Sequence, residues 1–483
     1  MNSNLRRWMA LVVVCFGQLM IILDSTIVNV ALPSIQRDLG FSQANLTWVV
    51  NAYLITFGSF LLLAGRLGDL FGRRLVFLVG VFFFTVASVG LGFAPDADSL
   101  IAGRFLQGLG ASLASGVIIA IIVTEFTQPA ERAQAMSVFA LVIAGGGSLG
   151  LLAGGAITQF VNWHWIFFIN LPIGLVTLPL GAWLIRENKG AGIGDGVDLV
   201  GAVLVTTALM AGIYAIVTAA DNGWGSLHTI AFGGVSLILL AVFTGYERLI
   251  RNPILPLRVL ANRSLTGASA ARALLFTGIS TAFFIGVLNF QHLHGYSAFE
   301  TGLAFLPMTV VLGILSAGVT ARLMARVGPR RVLLFGTTTL ATALTAVALA
   351  DSNASYFPWL LSAYMLFGLG AGTSFLPLLT IAMSEIGPAE AGLASGFSNA
   401  LQQVGGALGL AVVATLSTNQ TAGLLASGET VRAALAGGYQ LGFVLGAAAV
   451  AIALVLVLTV LRPAPTARVE PAAVESSTEL EAA

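Results

Sequence analysis

The chain has 483 residues, of which 57% are hydrophobic and only 9% charged, with a formal net charge of +1. Ordinary globular domains carry roughly a quarter charged residues, so a water-soluble fold is excluded, and the near-neutral balance suggests neither nucleic acid nor acidic partners. The single cysteine, Cys15, lies in an apolar run without a mate, which sets disulfide and redox chemistry aside.

Windows of roughly 20 apolar residues, enough to cross a ~30 Å hydrocarbon core, recur from end to end. Fourteen of them begin near Trp8, Leu46, Leu75, Leu100, Ala133, Trp165, Leu199, Thr229, Ser264, Thr301, Val332, Tyr356, Gly392 and Gly438. All are expected to be helices, because strand or loop backbone in lipid would leave polar groups unpaired. The expected class is an all-α membrane protein. Arg6 and Arg7 ahead of an apolar run have the look of a signal peptide, but the run outlasts the usual h-region and carries Asp24, so it reads as an uncleaved first span. An even count puts both termini on one side. Arg66, Arg73, Arg74, Arg322, Arg326, Arg330 and nearly every other cation fall on that side, and only Arg37 and Arg432 fall opposite, which makes the terminal side cytoplasmic.

Taken in chain order, the first intramembrane charge is Asp24 in span 1, where a carboxylate costs kilocalories unless it is paired or faces water. Between spans 2 and 3, Gly65 to Arg74 reads Gly-Arg-Leu-Gly-Asp-Leu-Phe-Gly-Arg-Arg; glycines permit a sharp turn and the arginines hold it at the water boundary. Gly65, Asp69, Gly72, Arg73 and Arg74 are therefore gate candidates, with Asp69 expected to accept hydrogen bonds from a neighbouring helix end or arginine; the plain alternative is a loop that only fixes orientation. Span 4 holds Arg104. At ~1.5 Å per residue, Asp24 lies about 24 Å from the start of span 1 and Arg104 roughly 9 Å below the outer end of span 4, so their depths agree. A carboxylate beside an arginine stays ionised, whereas one facing apolar walls takes up a proton. The pair is thus a proton-coupling candidate, against the alternative of a static buried ion pair. Gln107, Gly108, Ala111 and Ser115 follow Arg104 at helical spacing as a polar, small-residue face. In span 5, Gly146, Gly150 and Gly154 recur every four residues, which lets helices pack backbone to backbone.

The chain repeats itself. Gly65 to Arg74 returns, degraded, from Ala321 onward at an offset of 256, Gly108 to Ala111 returns as Gly368 to Ala371, and Gly146 to Gly150 as Gly405 to Gly409. The organisation expected is a short cytoplasmic start (1–7), a six-helix bundle (8–186), a linker with two extra spans (187–263), a second six-helix bundle (264–462) and a Pro- and Glu-rich disordered tail (463–483). The second half offers Arg272 and Phe276 in span 9 and Asn399, Gln402 and Gln403 in span 13 as a matching cavity face, although such groups equally serve as interhelical glue. It contains no clear intramembrane carboxylate. Gln291, His292 and His294 are placed at the outer interface. No spacing of metal ligands and no nucleophile with a base emerges, so neither metal site nor catalytic set is expected.

Several of these motifs resemble those of the major facilitator superfamily, and in particular its fourteen-span drug:proton antiporter branch, over about residues 8 to 462. Leu23 to Pro33 is similar to the branch's first-span signature, Trp48-Val49-Val50 with Tyr53 to its second-span opening, Gly65 to Arg74 to the superfamily loop, and Arg104 to Gly108 to the span 4 motif whose arginine is implicated in proton transfer. Asn162 to Gly174 looks like the entry to span 6, with His164 where arginine is usual, and Pro256 to Arg263 like the link into the second half. One departure stands out: the exporter motif of span 5 continues glycine with proline, but Gly150 is followed here by Leu151. The resemblance implies two homologous bundles that rock about a central site, and a monomeric inner-membrane antiporter, not an enzyme, that exchanges lipophilic drugs or antibiotics for protons without a cofactor. A symporter or uniporter for a nutrient is the rival within transport; a polytopic enzyme or sensor is the distant one.

Overall fold

The structure, a computed structural model, describes residues 3–187, 198–250, 261–351, 354–386 and 391–460. The link at 256–260, Glu390 and the tail at 463–483 lie outside the described residues. Those described form helices without a strand, in fourteen consecutive units. They are α1 (Ser3–Leu39), α2 (Gln43–Phe71), α3 (Arg73–Gly92), α4 (Ala97–Glu125), α5 (Pro129–Phe160), α6 (Trp165–Leu184), α7 (Leu199–Asn222), α8 (Leu227–Glu247), α9 (Arg263–Leu293), α10 (298–327), α11 (Pro329–Ala348), α12 (Tyr356–Met383), α13 (Ala391–Ala426) and α14 (Val431–Thr459). Ten are individually long and apolar enough to cross a bilayer, and α2, bent by 49° at Leu61–Leu63, makes an eleventh. Helices overrun the apolar windows at their ends; α14, for example, starts at Val431, seven residues ahead of Gly438, because the Thr430 side chain caps it by accepting from Ala433 N–H.

Glycine sets how the helices meet. A Cβ on Gly110 would lie 2.5 Å from Phe84 N, and one on Gly80 2.8 Å from Gly110 O, so α3 and α4 touch backbone to backbone. The second half repeats the contact: a Cβ on Gly370 would lie 2.5 Å from Leu340 N, and one on Gly336 3.0 Å from Gly370 O. The turn between α2 and α3 is a single residue, Gly72, at φ 97°, and that between α10 and α11 is Gly328 at φ 86°, a region where a side chain is strained. Gly108 abuts Tyr53 O while Gly368 abuts Met308 O, an offset of 255 in the partner helix that becomes 256 at Gly72 and Gly328. The π-turn Leu315–Val319 in α10 absorbs the extra residue.

Gly110→Val is expected to cost about 3 kcal/mol or more, since the obstructing atoms are backbone that cannot rotate away. Gly90→Val, where nothing lies within 4 Å of the new Cβ, is the control. Thermal unfolding of the detergent-solubilised proteins separates the two.

The halves meet along two seams, α5 against α10 and α2 against α13. Gly155 packs on Ala298 and Phe299, Gly302 on the Leu151 carbonyl, and Gly58 on Gln403 and Val404. With Leu151 in place of proline, α5 runs unbroken for 32 residues. Two hydrogen bonds near the ends remote from the chain termini also join the halves, from Gln291 Nε2 to Val30 O and from Phe299 N–H to Gln159 Oε1. The extra pair lies outside this frame. α8 packs on α7, and α7 lies over α2 and α13, with Thr206 donating to Ser59 O and Tyr214 ringed by Trp48, His228 and Phe232.

Candidate functional site

Asp24 and Arg104 meet. Their side chains are 0% and 1% exposed, and Arg104 Nη1 donates to Asp24 Oδ2 at 2.5 Å. Isolated ions at such depth would each cost several kilocalories, so the surroundings decide whether the pair is tenable. The carboxylate accepts two further hydrogen bonds at Oδ1, from Gln107 Nε2 at 2.7 Å and Asn170 Nδ2 at 3.2 Å. Arg104 Nε donates to Val49 O at 2.9 Å, Nη1 also donates to Gln107 Oε1, and the guanidinium lies 4.3 Å from the centre of the Tyr53 ring, a desolvated cation–π contact. Ser88 Oγ accepts from both Gln107 and Asn170. One charge pair thereby engages α1, α2, α3, α4 and α6.

Local sequence explains the positions. The first turn of α4 is fixed by a capping box in which Asp96 accepts from Ser99 N–H and Ser99 returns to the Asp96 backbone. That bond holds the exposed Asp96 carboxyl below its ordinary range. Gly108, one turn past Arg104, brings α4 onto the α2 backbone at Tyr53, close enough for Arg104 to reach Val49 O. Axial depth alone indicated the pair. Ser88, Asn170 and the Val49 carbonyl were not anticipated as members; an asparagine inside apolar α6 was the available signal, by the same reasoning that flags any buried amide.

Gln107, expected on a cavity face, is here 0% exposed and held between Asp24, Arg104 and Ser88 as part of the charge cluster. Ser115 donates to Gln18 across α1 and α4. Gly146, Gly150 and Gly154 all abut α1, at Leu19 and Ile22, at Thr26, and at Ile27. In the second half, Arg272 donates to Ser398, Phe276 packs on Gly406, and Gln402 Nε2 approaches Gln403 Oε1 at 3.5 Å, while Asn399 is half-buried beside them. His292 pairs with the Tyr439 hydroxyl and His294 with Ala354 O. A groove of about 420 Å³ on the flank of α11 and α12, lined by Leu334, Phe335, Thr338 and Leu366, contributes nothing to the cluster. Among the described residues no group of three His, Cys, Asp or Glu stands ready for a metal.

At the loop, Arg73 is the hub. It donates to Ala120 O and Thr124 Oγ1 in the last turns of α4 and to Asp69 Oδ1 at 3.2 Å. A cation there faces the negative end of the α4 dipole, and Asp69 steadies it. Gly65 and Gly68 sit against Gly116 and Val117 of the same helix, and Arg74 approaches Glu187 at 3.9 Å. The Asp69–Arg73 pair is exposed, so its stability contribution is only about 0.5 kcal/mol. Asp69→Ala is therefore expected to insert and fold normally yet transport slowly, and wild-type turnover at normal expression would leave the loop with a topological role only.

Comparison with known proteins supplies the family. Residues 14–410 match the model of the Major Facilitator Superfamily. The chain is 38% identical over 458 residues to the puromycin resistance protein pur8 of Streptomyces alboniger, covering 94% of this chain and 90% of that one. It is 34% identical to the cephamycin export protein CmcT of Amycolatopsis lactamdurans over 86% of each chain. It is also 32% identical to the tetracenomycin C resistance and export protein of Streptomyces glaucescens, over 86% of this chain and 77% of the relative. The human organic anion transporter MFSD10 superposes with a TM-score of 0.65 at 16% identity, over 93% of this chain and 99% of its own, which bears on the fold alone. A duplicated helical bundle with these motifs and this coverage has one reading: the chain belongs to the Major Facilitator Superfamily, and is a multi-pass membrane transporter of small molecules.

Proposed function

We propose that the protein is a proton-coupled exporter that carries lipophilic drugs or antibiotics out across the plasma membrane in exchange for entering protons, as a fourteen-span monomer with both termini in the cytoplasm and without a cofactor. The observation that carries the coupling is the Asp24 cluster, a membrane-buried carboxylate and the groups bonded to it, whose hydrogen bonds together engage five helices of one half. A proton on Asp24 cancels the charge that holds Arg104 and Asn170, so the helices bearing those groups are freed to repack; release of the proton restores the lattice. Close-packed glycine surfaces between α1 and α5 give the helices a smooth path for such a shift. The printed functions of the relatives, puromycin resistance and export of cephamycin and tetracenomycin C, support export of antibiotic-like compounds.

The test is a deletion strain screened against a chemical panel, followed by transport of the hits into inverted vesicles energised with a pH gradient. Hypersensitivity together with proton-dependent loading is expected. Energised uptake of a nutrient in the inward direction would establish the symporter instead.

A further inference from the structure

Two arginines lie within the spanning helices, Arg104 fully buried and Arg272 half-buried, and only the first has a counter-charge. Arg104 has a carboxylate partner and spends three of its five N–H donors, on Asp24, Gln107 and Val49 O, with the Tyr53 ring beside it. Arg272, in α9, makes one hydrogen bond, from Nη1 to Ser398 Oγ at 3.2 Å, and its Nε is shielded from solvent without a partner. An arginine has five N–H donors and does not lose its charge, so four of them are unspent. No carboxylate among the described residues pairs with it. Glu385, on the same side of the second half, is held by Asn262 and Ser264, eight residues and about 12 Å of helix below Arg272.

The surroundings point to a site. The side chain leans back along α9 toward Ser398, as helical side chains do. Gln402 lies one turn beyond Ser398 on α13, and its Oε1 is also buried with no donor. Neighbouring Gln403 packs on Gly58 of α2, where the two halves meet. Phe276, one turn from Arg272, presents a ring against Gly406. A cation with free donors, and an aromatic ring one turn further along α9, thus lie against the α13 surface that carries Ser398 and Gly406, and the adjoining Gln403 touches α2 at the seam.

We infer that Arg272 is the anion-recognising residue of the substrate site, and that the protein takes amphiphilic organic anions, with a carboxylate or comparable acid on Arg272 and an apolar body against Phe276. The inference rests on the exporter reading and names its substrate class. The guanidinium fork matches two carboxylate oxygens, and a half-buried cation with no counter-charge and a shielded Nε discriminates against ligands that cannot satisfy it. An anion leaving against an entering proton also moves two charges in the favourable direction across a negative-inside membrane.

The test uses the full chain in lipid nanodiscs and three probes that share one skeleton: naphthoate, naphthamide and naphthylmethylammonium. Calorimetric titration should show naphthoate binding roughly 10- to 100-fold tighter than naphthamide, with the ammonium weakest. Arg272→Gln should erase the gap between acid and amide, with monodisperse elution and a cooperative thermal unfolding transition certifying the fold; Arg272→Lys should retain part of it. Equal affinities in the wild type, no binding of any probe, or a gap that survives Arg272→Gln overturns the assignment. Protein that exports panel compounds under a pH gradient but prefers the ammonium probe defeats the anion assignment alone. Protein that shows the naphthoate gap but exports nothing defeats the exporter reading and leaves Arg272 as an anion site.

Discussion

Asp24→Asn protein reconstituted in liposomes should exchange substrate across the membrane but fail to concentrate it under an imposed pH gradient. A single proton falling through 100 mV gains about 2.3 kcal/mol, enough for roughly 50-fold accumulation of a neutral substrate. With asparagine at 24 the accumulation ratio should drop to about one, because an amide keeps the shape and the acceptor oxygen but carries no exchangeable proton. Removing one charge of a buried pair also leaves Arg104 uncompensated, at a cost of about 3 kcal/mol or more. Substrate counterflow without net proton movement is therefore measured alongside, and its survival shows that the protein is folded. Uphill accumulation by the Asp24→Asn protein would place the coupling elsewhere, with the Gln402 and Gln403 face of α13 the next region to test.

Arg104→Lys is expected to be nearly as damaging despite preserving the charge. The guanidinium reaches Asp24, Gln107 and Val49 O at once and lies over the Tyr53 ring, 4.3 Å from its centre. An ammonium on a flexible stem has neither the planar fork nor the stacking face, so at least the Val49 carbonyl or the Gln107 oxygen is left buried and unpaired, at about 1–3 kcal/mol each. Initial transport rates should fall by about 100-fold or more, with a lower unfolding temperature. Wild-type rates would mean that positive charge at this depth is enough and that the directional bonds are incidental.

Much of this was legible in the chain because the bilayer simplifies the code. Apolar windows, the Arg distribution and the Gly65–Arg74 echo follow from the cost of polar groups in lipid. The meeting of Asp24 and Arg104 followed from depth alone. What depth does not give is azimuth: Gln107 and Ser115 stand on the same stripe of α4, yet Gln107 turns into the cluster and Ser115 toward Gln18. Ser88 was hidden among the phenylalanines and valines of α3. The missing acid of the second half also has a spatial explanation. Under the glycine-based alignment Arg104 and Gln107 correspond to Tyr364 and Phe367. Tyr364 packs there against Phe290 and Phe305 in an aromatic knot that needs no counter-charge. One copy of the ancestral bundle carries ions at this level, and the other carries rings.

The placement of α7 breaks the approximate two-fold relation between the halves. Its contacts with α2 and α13, the Thr206–Ser59 bond and the packing of Phe397 beside Val205 roof over one of the two seams, whereas no peripheral helix packs across α5 and α10 among the described residues. The two seams are therefore unequal: α7 stands between the α2–α13 seam and the surroundings, while the α5–α10 seam is closed by its own glycine contacts alone, which gives the molecule a front and a back.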